Sequence, residues 1–135
     1  MKELNDKEGR KRPIDDLLTK KIIGLCYEVH RKLGPGFVEK TYLTALKRAL
    51  TRDRMEFMAE KEFSVVFDDE VVGKFRVDLV VAGKVIVELK SLVGSLSKIF
   101  ESQVVSYLKA SGLQVGLLVN FGNSKCIVRR LVLSP

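Results

Sequence analysis

The stretch Phe75–Lys90, FRVDLVVAGKVIVELK, decides the fold. Two apolar runs rich in valine flank Gly83, and this pattern predicts a β-hairpin of two largely buried strands. The first run carries Asp78, and the second carries Glu88 and Lys90, which share a face because they lie two residues apart. A charge inside an apolar strand is costly unless it has a partner or a function. These three charged residues are therefore the first candidates for a site.

The length of the turn decides whether the two acids meet. Alternation along the first strand predicts Val77 and Leu79 on one face and Asp78 on the other. A two-residue turn would leave Asp78 and Glu88 on opposite faces of the hairpin, whereas a three-residue loop over 82–84 would pair them directly. We expect the three-residue loop or an equivalent bulge. Carboxylates on opposite faces would contradict the site.

A pair of neighbouring carboxylates suits a hard divalent cation. Two such groups repel each other, and Mg²⁺ typically takes one or two carboxylates together with waters and substrate phosphate. A metal ion lowers the pKa of bound water and stabilises charge on a phosphodiester. Lys90 could orient the attacking water or neutralise developing charge. The alternative is a structural ion-pair network of the same residues, because the pattern is short and common.

The charge of the chain is unevenly distributed. Its 135 residues carry a formal net charge of +7. Residues 1–70 hold 15 basic and 14 acidic side chains, whereas residues 71–135 hold nine basic and only three acidic ones. Two of those three acids are Asp78 and Glu88. The basic excess favours a polyanionic partner such as nucleic acid over a merely solvated surface.

Composition excludes several protein classes. A hydrophobic fraction of 46% is enough for a core, so disorder is excluded. The sequence has neither a membrane-length apolar run nor the apolar core of a signal peptide. Cys26 and Cys126 lack metal-site spacing and predict reduced core thiols in a cytoplasmic protein.

The remaining sequence predicts one α/β (α+β) domain over residues 13–135, with a flexible basic tail at 1–12. Apolar spacing, glycines and helix-capping residues predict the order α-α-β-β-β-α-β-β, a mixed central sheet flanked by helices. The predicted helices span 15–33, 37–54 and 97–111, and the predicted strands span 62–67, 71–82, 84–91, 114–120 and 125–133.

Four residues outside the hairpin are further site candidates. Glu39 lies at the edge of the buried face of the second helix and could reach the sheet. Gln103 and Tyr107 are four residues apart on the third helix and could contact phosphate or base, although a core-edge tyrosine is the commoner role. His30, the only histidine, could be a ligand but is more typical of a structural core residue.

Two motifs resemble known proteins. Asp78 followed by Glu88-Leu89-Lys90 resembles the core motif of the PD-(D/E)XK nuclease superfamily, although Val77 replaces the proline that often precedes the aspartate. The segment Gly36-x-x-Glu39-x-x-Tyr42, with its flank VHRKLGP, closely resembles the signature of the small GxxExxY proteins of that superfamily. The later GLLVNFG segment at 116–122 also fits, so the resemblance extends over about 14–133.

The resemblance implies specific roles for these residues. It implies a metal-dependent nuclease that uses Mg²⁺ or Mn²⁺, with Asp78 and Glu88 as metal ligands and Lys90 as the catalytic lysine. It further implies a metal-ligating backbone carbonyl at Leu89 and a supplementary acid at Glu39, while His30 is a looser match to a helical histidine ligand. Gln103 and Tyr107 resemble a QxxxY motif that contacts substrate.

The partner expected from this resemblance is nucleic acid, with DNA favoured over RNA. No membrane partner is expected. Homodimers occur among small nucleases of this kind, so a dimer is an open option here. The alternative function is a non-catalytic nucleic-acid-binding module that retains the fold. The intact Asp78, Glu88 and Lys90 set argues against it, because a pure binder has no need to bury paired acids.

Overall fold

The computed structural model describes residues 16–133 together with two short strands near the N-terminus. These strands, β1 (Leu4–Asn5) and β2 (Lys11–Arg12), pair in antiparallel fashion. The rest of the tail predicted at residues 1–12 lies outside the described residues.

Three helices and five strands make up the remainder. The helices are α1 (Asp16–Leu33), α2 (Glu39–Arg52) and α3 (Lys98–Ser111). The strands are β3 (Phe57–Phe67), β4 (Glu70–Val81), β5 (Val85–Lys90), β6 (Val115–Asn120) and β7 (Ile127–Val132). Over residues 16–133 the predicted element order is confirmed, and most predicted bounds differ from the observed ones by one or two residues. The main difference is β3, which begins five residues before the predicted strand.

The five strands form one mixed sheet in the order β3-β4-β5-β6-β7. β5 and β6 are parallel and all other neighbours are antiparallel. The parallel pair requires a crossover, which α3 supplies. β5 and β6 are therefore the central, most deeply buried strands, and almost all of their residues are buried. The predicted fold class, a mixed sheet flanked by helices, is confirmed.

Each face of the sheet packs against helices. One face lies against α1 and α2 and forms the larger apolar cluster, which includes Ile22, Leu46, Leu79 and Val87. The other face lies against α3 and forms a smaller cluster around Ile86 and Leu108. The smaller cluster leaves part of its face free for polar groups, and Glu88 lies on this face because it alternates with Val87.

The β4–β5 hairpin has the register that the site requires. Val81 pairs with Val85, and the ladder continues through Leu79 and Val87. The connection is therefore the three-residue loop 82–84, and the prediction of an odd-length loop is confirmed. Continuing the same register brings Asp78 opposite Glu88.

The predicted strict alternation along β4 is wrong at one point. Val77 packs in the cluster on the α3 face together with Val80, whereas Leu79 packs on the opposite face. The ladder between β3 and β4 is interrupted opposite Asp78, where Glu60 has a φ of +52°. This local kink changes the twist of β4, so residues on either side of it no longer follow one period of two.

Two further expectations concern the helices and the cysteines. No helix in the described part of the chain is long and apolar enough to cross a membrane. Cys26 and Cys126 are free thiols, as predicted. Burial raises the pKa of both, that of Cys126 to about 11. Neither thiol therefore has the lowered pKa of a reactive cysteine.

Candidate active site

Asp78 and Glu88 are joined by a reciprocal pair of hydrogen bonds. The backbone N–H of Asp78 donates to Oε1 of Glu88 at 2.8 Å. The backbone N–H of Leu89 donates to Oδ2 of Asp78, also at 2.8 Å. Each carboxylate is thus fixed by the backbone of the neighbouring strand, and its second oxygen has no hydrogen bond from the described residues. The two strands hold both acids together at the end of the regular ladder.

Burial governs the protonation of this pair. Glu88 is only 7% exposed, and desolvation together with the nearby charge of Asp78 raises its pKa to about 7. Burial also raises the pKa of Asp78, opposed by the Leu89 hydrogen bond and the charge of Lys90. Desolvation disfavours the ionised form of an acid, and a second acid nearby adds to the effect. Among the described residues, the charge of Lys90 does not offset the effect of burial on the pKa of either acid.

Lys90 does not neutralise the pair by direct contact. Among the ion pairs of the described residues, none joins Lys90 to Asp78 or Glu88 within 4.0 Å. Its ammonium instead lies over the ring of Phe100, 4.5 Å from the ring centroid, as a cation–π contact. The charge of Lys90 still lowers the pKa of both acids, so it lies nearby. This geometry disfavours the structural ion-pair network that the sequence left open.

Glu39 begins α2, and its carboxylate belongs to the same electrostatic group. Burial raises its pKa, and the charges of Lys90 and Asp78 act on it in opposite directions. The turn before it is fixed by Tyr42, whose hydroxyl donates to the carbonyl of Gly34 at 2.6 Å and accepts from the N–H of Phe37.

The Gly-x-x-Glu-x-x-Tyr spacing has a physical explanation in this turn. Gly36 has a φ of +110°, a backbone angle that residues other than glycine rarely adopt. The hydroxyl of Ser91, the residue after Lys90, donates to the carbonyl of Phe37 at 2.6 Å. The glycine permits the turn, the tyrosine fixes it, and Ser91 attaches it to the end of β5. Glu39 is brought to the site as a result.

Gln103 and Tyr107 lie one turn apart on α3, and Gln103 is exposed. Burial and the charges of Glu88 and Asp78 raise the pKa of the Tyr107 hydroxyl, and the nearby Gln103 side chain opposes that shift. The Tyr107 ring stacks on Phe75 with centroids 4.3 Å apart, and Phe75 in turn stacks on Phe63. Tyr107 therefore combines the two roles that the sequence left open, a packed ring and a hydroxyl near the carboxylates.

His30 makes a structural contact. Its Nε2 lies 2.8 Å from the carbonyl oxygen of Asn123, and its ring stacks against Phe121. The side chain is 8% exposed and connects α1 to the segment after β6. This contact favours the structural role over the ligand role.

The donors present suit a divalent cation that is satisfied with few protein ligands. Among the described residues, no three His, Cys, Asp or Glu side chains form a metal cluster. Two carboxylates with one oxygen each left open nevertheless match the needs of Mg²⁺, which keeps several waters. Such a pair is a poor match for zinc, which prefers histidine and cysteine.

Sequence reasoning missed the residues that hold the loop after β5. Asn120 is fully buried, and its side-chain amide accepts from the N–H of Leu92 and donates to the carbonyl of Leu92, both at 2.9 Å. Asn123 makes the same two bonds to Gly94. A Cβ at Gly122 would collide with the backbone of Leu92. A polar residue ending a wholly apolar strand was the signal that could have revealed Asn120.

Comparison with known proteins agrees with this fold. The family model for the PD-(D/E)XK nuclease superfamily matches residues 16–131. Among solved structures, the chain resembles the crystal structure of SSO0001 with a TM-score of 0.56 and 18% sequence identity. The match covers 87% of this chain and 59% of SSO0001, so the chain spans less than two thirds of that protein. At this identity the likeness concerns the fold alone. No curated protein matches.

The chain belongs to the PD-(D/E)XK nuclease superfamily. The family match covers most of the chain, and the Asp78, Glu88 and Lys90 constellation lies within it. Nucleases of this superfamily act on nucleic acid and generally use divalent metal ions.

Proposed function

We propose that this protein is a Mg²⁺- or Mn²⁺-dependent nuclease that hydrolyses phosphodiester bonds, with DNA favoured over RNA. The observation that carries the proposal is the buried carboxylate pair of Asp78 and Glu88. Reciprocal backbone hydrogen bonds fix both groups, and no ion pair of the described residues neutralises either one. A structural pair of acids would be expected to have a cation in contact, because burying unpaired charge destabilises a fold.

The residues have distinct roles in this proposal. Asp78 and Glu88 would hold the cation, and the Leu89 carbonyl and Glu39 would supplement them. A bound divalent cation supplies electrostatic stabilisation of the charge that develops on the phosphodiester. Lys90 orients the attacking water or stabilises that charge with its ammonium, which the Phe100 ring holds near the pair. Gln103 and the Tyr107 hydroxyl contact the substrate phosphate from α3.

We also propose membership of the GxxExxY group within the superfamily. The motif Gly36-x-x-Glu39-x-x-Tyr42 supports it, because each named residue has a distinct role in bringing Glu39 to the carboxylate pair.

The homodimer and the cytoplasmic location stay predictions. Analytical ultracentrifugation tests the first, and fractionation of cells that express the protein tests the second.

The deciding experiment measures cleavage and binding together. Linear, supercoiled, single-stranded and branched DNA, and an RNA strand, are incubated with the protein in Mg²⁺, Mn²⁺ or EDTA. We expect cutting in Mg²⁺ or Mn²⁺ that EDTA stops. Asp78→Asn and Lys90→Ala should both lose it, but only Asp78→Asn should weaken metal binding measured by calorimetry.

The matched control is Lys84→Ala, which removes a lysine at the far end of the same hairpin. It should keep full cleavage. Binding of DNA without cutting under every condition would favour the non-catalytic module instead. Absence of both binding and cutting would contradict the nucleic-acid function altogether.

A further inference from the structure

A cleft of about 400 Å³ opens beside the end of β5. It lies between the turn that connects α1 to α2 and the loop that follows β5. Phe37, Val38 and Val93 supply its apolar walls, and Glu39 and Ser91 supply its polar groups. Ser91 directly follows Lys90, so the cleft adjoins the end of β5 that carries the site. Its volume lies within the roughly 300–1,000 Å³ of small-ligand sites.

The apolar walls of this cleft are unusually exposed. Val93 is 92% exposed, Val38 70% and Phe37 48%. A single exposed apolar side chain needs no explanation. Three of them around one concave opening next to charged groups are typical of a surface that binds a ligand.

Both walls are held in place by specific contacts. On one side, the ring of Phe37 packs edge-on against Tyr42, with centroids 6.2 Å apart, and Tyr42 stacks on the buried Phe121. On the other side, the amides of Asn120 and Asn123 fix the backbone of Leu92 and Gly94, which flank Val93. Four hydrogen bonds therefore present one exposed valine in a fixed position. Preorganised walls lower the entropic cost of binding.

We propose that this cleft holds one unpaired nucleobase of the substrate strand. The inference rests on the proposed nuclease function, because it places the base next to the phosphate that the carboxylate pair would act on. A base is flat and apolar on its faces, which suits Phe37 and the valines, and its polar edge groups can form a hydrogen bond with the Ser91 hydroxyl. Bases in an intact duplex cannot enter such a cleft. The substrate class is therefore a single strand, a frayed end or a branch.

Binding measurements in EDTA test the cleft without cutting. Fluorescence anisotropy compares a 12-nucleotide thymidine strand, its fully abasic counterpart and a matched 12-base-pair duplex, all at the same low salt concentration because phosphate contacts depend strongly on salt. We expect the thymidine strand to bind about tenfold more tightly than the abasic strand, which is the effect of stacking one base.

Two variants remove the walls, and one matched variant controls for exposed apolar surface. Val93→Ser and Phe37→Ala should each abolish the preference, so that the thymidine strand and the abasic strand bind with about equal affinity. Val72→Ser, at a 60% exposed valine far along the β3–β4 hairpin, should leave the preference intact. Circular dichroism confirms folding of each variant. Thymidine monophosphate should compete at least 100-fold more weakly than the strand, because it lacks the additional phosphate contacts.

Each outcome is decisive. Equal binding of thymidine and abasic strands, or equal loss in Val93→Ser and Val72→Ser, would overturn the base cleft while metal-dependent cleavage by the wild-type protein kept the nuclease function intact. A base-dependent preference without cleavage in Mg²⁺ or Mn²⁺ would support the cleft and overturn the nuclease. Competition by the monophosphate as strong as by the strand would reassign the cleft to free nucleotides.

Discussion

Glu28 on α1 and Glu88 on β5 show two opposite environments for the same side chain. Arg52 makes a bidentate pair with Glu28, at 2.7 and 2.8 Å, and Lys32 adds a third contact. These hydrogen bonds lower the pKa of Glu28 to about 2. No cation of the described residues forms an ion pair with Glu88, and burial raises its pKa to about 7.

The difference shows which of the two sites can still bind a cation. Glu28 and Arg52 line a groove between α1 and α2, and the acid there is already paired with a cation. The sheet site fixes two acids, each with one oxygen that accepts no hydrogen bond from the described residues, at a cost in folding free energy. A ligand that carries positive charge would remove that cost. This contrast predicts four measurable effects of decreasing size.

Removing either acid of the sheet site should abolish catalysis. Asp78→Asn and Glu88→Gln each remove one proposed metal ligand, and losing a direct ligand should cost more than the roughly 10–100-fold typical of changes around it. We expect metal-dependent cleavage to fall by more than about 100-fold. Glu28→Gln is the matched control and should cleave normally. Equal losses of cleavage in all three variants would contradict a specific role of Asp78 and Glu88 in catalysis.

The stability of the metal-free protein should fall as pH rises from about 4.5 to 7. Over this range folded Glu88 keeps its proton while the unfolded chain has lost it, so folding takes up a proton and stability decreases with pH. The loss attributable to Glu88 should be roughly 3 kcal/mol. Urea unfolding in EDTA at pH 5 and pH 8 measures it. The fall should be much smaller in Glu88→Gln, and a flat profile in the wild type would contradict the buried-acid interpretation.

Metal should counteract that loss at high pH. Addition of Mg²⁺ at 100 times its dissociation constant should stabilise the wild type at pH 8 by about 2.7 kcal/mol. Asp78→Asn should gain much less. Stabilisation of both proteins by the same amount would show that Mg²⁺ acts elsewhere.

The pair on the helices should matter least. Arg52→Ala removes the bidentate partner of Glu28, and NMR titration should find the pKa of Glu28 moving up toward its ordinary value. Exposed ion pairs contribute little to folding, so unfolding by urea should change hardly at all. A large loss of stability would show that the Arg52–Glu28 pair contributes substantially to folding, contrary to this expectation.

Much of this contrast could be predicted from the sequence. The apolar runs around Gly83 predicted the hairpin, and the position of Asp78 and Glu88 within them predicted a polar pair whose pairing depended on one loop length. Local patterning carries such information because strand periodicity is set by backbone geometry. The kink opposite Asp78 could not be predicted, since it depends on how β3 pairs with β4 at Glu60.

Some features of the residues around the site could likewise be predicted from the sequence, and others could not. The spacing of Gly36, Glu39 and Tyr42 was visible in the sequence, but the hydroxyl contact from Tyr42 to Gly34 that explains it was not. Asn120 and Asn123 hold a loop almost 30 residues away in the chain, so no local pattern links them to it.

The element order, the mixed sheet and the identity of the paired acids could be predicted from the sequence, because they follow from hydrophobic periodicity and from the cost of burying charge. The position of Lys90 over Phe100, and the cleft with fixed apolar walls beside the end of β5, became visible only in the folded protein. Contacts between distant segments set both features. Their energies depend on distances and burial that a linear pattern does not contain.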